Sequence, residues 1–78
     1  MIILDTHIWI WWADNNPRLT QQHRQWIQQY QSQGLGVSII SCWEVAKLVE
    51  NNRLAMSIAV DEWLAAALAY PGVQLLNL

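Results

Sequence analysis

Two hydrophobic rhythms alternate along the chain. Ile2-Ile3-Leu4 is an unbroken apolar run that stops at Asp5-Thr6. A short run of this kind predicts a buried strand, as in parallel sheets. Thr6 is placed to cap a short helix from His7 to Ala13, and Asp14-Asn15-Asn16-Pro17 reads as a loop from its turn residues. The rhythm then becomes helical. Leu19, His23, Trp26, Ile27 and Tyr30 fall on one helical face, opposite a face that is mostly glutamine. Thr20 is the expected N-cap and Gly34 the expected stop. His23, lying on the apolar face, is expected in the core.

Gly36-Val37-Ser38-Ile39-Ile40 predicts a second strand. Ser41 is expected to open a helix that runs to about Glu50 and ends at Asn51-Asn52. A last helix is expected over about Val60 to Tyr70, with Trp63, Leu64, Ala67 and Leu68 inward. Pro71-Gly72 breaks it, and Val73 to Leu78 reads as a third strand. Strands alternating with helices predict an α/β fold with a parallel sheet flanked by helices. The final strand has no polar tail, so the chain is expected to be cut short after it, as the N-terminal portion (1–78) of a single domain.

Open parallel sheets bind ligands beyond the carboxyl ends of their strands. Asp5 ends the first strand, and Glu44 follows the second. If those strands are neighbours, the two carboxylates share one end of the sheet. A Mg²⁺ ion suits such a pair, because it accepts one or two carboxylates and keeps its waters. It would polarise a phosphodiester and acidify a bound water. Each acid also has a plainer reading. Asp5 fits the start of a helix. Ser41-Cys42-Trp43-Glu44 fits the capping box S-x-x-E, in which Glu44 reaches back to the cap.

Composition narrows the choice. The 78 residues are 54% hydrophobic and 13% charged, with six tryptophans. That is too apolar for disorder, and it implies that some apolar surface meets a partner. The net charge is −2 and the cations Arg18, Arg24, Lys47 and Arg53 are scattered, so binding of nucleic acid by bulk positive charge is not indicated. A metal-bridged phosphate contact remains open. One cysteine, Cys42, excludes an internal disulfide, and no zinc-ligand spacing is visible. Ile8 to Ala13 is too short to span a membrane, and the N-terminus does not read as a signal peptide, which points to the cytoplasm.

Three blocks carry a resemblance. Met1-Ile2-Ile3-Leu4-Asp5-Thr6-His7-Ile8-Trp9, then Ser38-Ile39-Ile40-Ser41-Cys42-Trp43-Glu44-Val45-Ala46, then Glu62-Trp63-Leu64 through Pro71-Gly72-Val73, resemble the PIN-domain family, and within it the VapC-type toxins of bacterial toxin–antitoxin pairs. The resemblance implies a Mg²⁺- or Mn²⁺-dependent ribonuclease acting on single-stranded RNA, held in check by an antitoxin protein, with a homodimer in the full-length form. By position, Asp5 and Glu44 match metal-binding, catalytic acids, and Thr6 matches the hydroxyl residue beside the first. The family's later acids have no counterpart here; Asp61-Glu62 does not match their positions, so this chain is expected to be incomplete and inactive as an enzyme by itself. The alternative is a non-catalytic module that binds antitoxin or another toxin subunit. A receiver or flavodoxin-like domain fits poorly, because the first strand is followed by neither an acidic pair nor a phosphate loop.

Other chemically able side chains read more plainly as structural. His7 is expected to pack or cap beside the site and not to act as a base. Trp9, Trp11 and Trp12 cannot all share one helical face, and packing suits them better than stacking on RNA. Cys42 lies near a helix start, where a thiolate is favoured, but no positioned base accompanies it.

Overall fold

The computed structural model describes residues 1–77. Three strands, β1 (Ile2–Ile3), β2 (Leu35–Ser38) and β3 (Val73–Leu76), form one parallel sheet in the order β1-β2-β3. Four helices connect them: α1 (Thr6–Ala13), α2 (Gln21–Tyr30), α3 (Ile39–Glu50) and α4 (Val60–Leu68). A single 3₁₀ turn, Gln31–Gln33, follows α2. The α/β class and the order of elements expected from the sequence are both present.

The core lies on one face of the sheet. The register aligns Ile2, Leu35 and Val73 across the three strands. Leu4, Leu35 and Val37 are buried with Trp9 and Ile10 of α1, Ile27 of α2, Val45 of α3, and Trp63 and Ala67 of α4. Trp9 is fully buried and meets Trp63 edge-on, with ring centroids 5.1 Å apart. Edge-to-face pairs set the ring's positive rim against its neighbour's negative face. The buried indole nitrogen of Trp9 has no hydrogen-bond partner among the described residues.

Both asparagine-containing loops end a helix in the same way. Asn15 and Asn52 take left-handed φ values of 53° and 57°. After α1, the Asn15 and Asn16 amides bond Trp12 and Trp11 carbonyls; after α3, the Asn52 and Arg53 amides bond Val49 and Leu48 carbonyls. This is the Schellman arrangement, in which a left-handed residue turns the chain back over the last carbonyls. Asparagine tolerates that conformation better than other residues with a Cβ. Gly72 (φ +86°) meets a stricter limit, since a Cβ there would lie 2.2 Å from the Gln31 carbonyl oxygen.

Several boundaries differ from expectation. β2 ends at Ser38, and Ile39-Ile40 open α3 instead of extending the strand. Their β-branched, apolar character mimics a strand, yet Ile40 is 54% exposed. The α2 face is only partly inward: Leu19 and Ile27 are buried, whereas Trp26 and Tyr30 reach the surface. His23 is exposed and not in the core; its Nδ1 lies 2.8 Å from the Thr20 hydroxyl, which caps the helix. α4 stops at Leu68, freeing Tyr70 to donate its hydroxyl hydrogen to the Ala13 carbonyl. The expected end of the third strand at Leu78 lies outside the described residues.

Candidate functional site

The parallel pairing of β1 with β2 puts the starts of α1 and α3 side by side at the carboxyl end of the sheet. Asp5, not Thr6, caps α1: its Oδ2 accepts the His7 amide at 3.2 Å. Thr6 is the first helical residue, and its side chain is buried. Sequence alone favoured Thr6 because both residues are good caps; the strand ends early enough for the aspartate to win.

At α3 the cap is Ser38, whose hydroxyl accepts the Ile40 amide at 3.1 Å. This shift of three residues removes the capping-box reading. Ser41 and Glu44 now lie inside the helix and turn toward α1. The Ser41 hydroxyl is 2.8 Å from the Thr6 hydroxyl, and Thr6 donates to Glu44 Oε1 at 3.0 Å. Each hydroxyl carries one proton, and an ionised carboxylate only accepts. Thr6 therefore spends its proton on Glu44, and Ser41 donates to Thr6. The result is a directed chain, Ser41 to Thr6 to Glu44, whose two hydroxyls are buried and whose carboxylate is at the surface.

Glu44 is bonded to Thr6, the residue after Asp5 in the chain, and the two sequence-predicted acids, Asp5 and Glu44, are both exposed. Each has one oxygen engaged in the bonds above. Two surface carboxylates at a sheet end fit a hard divalent cation that retains most of its water better than a zinc ion, which favours histidine and cysteine donors. Among the described residues no group of three or more His, Cys, Asp or Glu side chains converges.

Glu44 also lines an open groove of about 430 Å³ with His7, Trp43, Lys47, Leu48, Asn51 and Arg53. Lys47 and Arg53, scattered in sequence, meet here. The sequence held the signal in two pieces: helical spacing from Glu44 to Lys47, and an asparagine stop at Asn52 that folds Arg53 back over α3. Cys42 is half-buried behind this face; burial pushes its thiol pKa up, with a backbone hydrogen bond opposing, so it is not an activated nucleophile. Of the α1 tryptophans, Trp9 is core and Trp11 and Trp12 are partly buried. The exposed ones are Trp26 and Trp43.

This fold and site meet a known class. The PIN domain family matches residues 2–76, nearly the whole chain, and the chain belongs to that family. Within it, the similarity is to a VapC-type member. The chain is 35% identical over 63 residues to Ribonuclease VapC22 of Mycobacterium tuberculosis, covering 81% of this chain and 47% of that protein. It thus spans about half the length of the curated relative it matches. No solved structure matches the chain. No helix among the described residues is long and apolar enough to cross a membrane.

Proposed function

We propose that this chain carries the first half of a divalent-metal-dependent endoribonuclease site of VapC type, in which Asp5 and Glu44 are the metal-binding acids and Thr6 positions Glu44. The toxin role, single-stranded RNA as substrate, a cognate antitoxin as partner, homodimer formation and action in the cytoplasm belong to this reading. The observation that supports it is the hydrogen bond from Thr6, the residue after Asp5, to Glu44, with Ser38 and not Ser41 capping α3 so that Glu44 is free of a capping role. A bound Mg²⁺ or Mn²⁺ would supply charge neutralisation at a phosphodiester and a more acidic water. The chain's own part is to hold two carboxylates ready. Asp5 is fixed by its cap on α1, and Glu44 by a hydroxyl whose own lone pair is occupied by Ser41.

With two carboxylates, cation binding is expected to be weak. Mn²⁺-dependent cleavage of single-stranded RNA by this chain, lost in Asp5→Asn, would select the enzyme reading. Glu44→Gln keeps the shape and the Thr6 bond but removes the charge, and is expected to weaken Mn²⁺ binding in calorimetry. Unchanged Mn²⁺ affinity in Glu44→Gln would sink the metal assignment. A second reading, a non-catalytic module for antitoxin or toxin-subunit binding, is favoured by exposed Ile3, Ile40 and Trp43. Antitoxin binding with no cleavage at any Mn²⁺ concentration would select it.

A further inference from the structure

We propose that the groove running from Glu44 past Trp43 and Lys47 to Arg53 is the track that holds the single-stranded RNA, with Trp43 stacking a base and Lys47 and Arg53 holding its phosphates. The proposal rests on the ribonuclease reading and adds to it which residues seat the substrate. Four observations support it. The chain is acidic overall, with four cationic side chains, yet two of them line this one groove. Of the others, Arg24 is committed elsewhere, bonded to Asn15 and Asn16. Lys47 has one exposed ion pair, to Glu50 at 3.6 Å, and such pairs contribute little. Arg53 has no ion pair or side-chain hydrogen bond among the described residues.

Trp43 supplies the third element. It is 61% exposed, and the Lys47 ammonium lies 5.6 Å from its ring centroid. An exposed indole beside a cation is the combination that binds single strands without reading sequence: the ring stacks on any base while the cation meets the backbone. The groove is also polar enough for a solvated chain. Asn51 and His7 offer hydrogen-bonding groups, and Leu48 is its single aliphatic residue, which does not suit an apolar partner helix. Finally, Glu44 lines the same groove. A carboxylate repels phosphate, so the strand passes close to Glu44 only with a cation between them.

The test is binding without chemistry. Fluorescence anisotropy would follow a labelled RNA single strand of about twelve nucleotides on the full chain in EDTA, across a salt series. Lys47→Gln with Arg53→Gln is expected to weaken binding and to lower the slope of log affinity against log salt by about 1.4, two phosphates at about 0.7 each. Trp43→Leu is expected to weaken binding about tenfold with the slope unchanged. Arg18→Gln, outside the groove, is the control and is expected to bind as the parent does. Circular dichroism checks that each variant is folded. If the folded groove variants bind RNA with the parent's affinity and slope, the track is wrong, while Mn²⁺-dependent cleavage continues to test the nuclease separately. If the parent binds a labelled Asp/Glu-repeat peptide and no RNA, the groove takes protein and the proposal falls.

Discussion

At the scale of single residues, the Thr6 hydroxyl is the most consequential group. It is buried, it accepts from Ser41 and it donates to Glu44. Thr6→Val keeps the volume and removes both bonds, leaving the Ser41 hydroxyl buried without this partner. A loss of about 1–3 kcal/mol is expected in urea denaturation. Ser41→Ala tested with it in a double-mutant cycle is expected to show coupling of about 1 kcal/mol, since the two side chains share one bond. Coupling near zero would mean that the hydroxyls do not meet. The positions of the two acids were legible in the sequence, because an acid at the end of the first strand and another in the helix after the second are local features. The relay was not. It depends on which of two serines, Ser38 or Ser41, caps α3, and a choice between equal cap formers is made by where the strand runs out.

At the scale of elements, α1 is held by its C-terminus as well as by its buried face. Asp14, its last cap residue, accepts the Trp63 indole N–H from α4 at 2.7 Å, and Tyr70 reaches the Ala13 carbonyl. From α2, Arg24 bonds Asn15 and the Asn16 carbonyl, placing a cation where the helix dipole is negative. Trp63→Phe retains most of the apolar burial but removes a hydrogen bond to a charged acceptor. It is expected to cost about 1.5–3 kcal/mol. If the Asp14 bond is the reason, Asp14→Ala should add little on top, and full additivity in thermal unfolding would refute that account. The helices were predictable from their periodicity and their asparagine stops. The orientation of α2 was not, because His23, Trp26 and Tyr30 obey the helical spacing of a buried stripe while only Leu19, just before the helix, and Ile27 are buried. Spacing says which residues share a face, and the neighbouring elements decide how much of that face is covered.

At the scale of the whole molecule, the two faces of the sheet are unequal. One carries the core. On the other, a Cβ at Gly36 would meet Leu76, Met1 and Ile3 side chains at 2.8, 3.2 and 3.4 Å, so these three lie across the glycine. Two of them remain largely uncovered, Met1 at 59% and Ile3 at 64% exposed, and Leu76 is half-buried. β1 and β3 are also the edges of the sheet. An apolar face bounded by open edges favours association. The sequence signalled this through its hydrophobic fraction, but it did not say where the surplus lay, since a buried parallel strand and a half-bare one share the same apolar run. Ile3→Lys tests the location. Its aliphatic stem still covers Gly36 while its ammonium reaches water. Stability is expected to change by less than about 0.5 kcal/mol, as for an ordinary surface substitution. Concentration-dependent association in sedimentation velocity is expected to fall. If it persists unchanged, the contact lies elsewhere, with exposed Ile39 and Ile40 at the start of α3 the next apolar pair to substitute. That second outcome bears on the site as well, because a partner seated there would crowd the helix that carries Glu44.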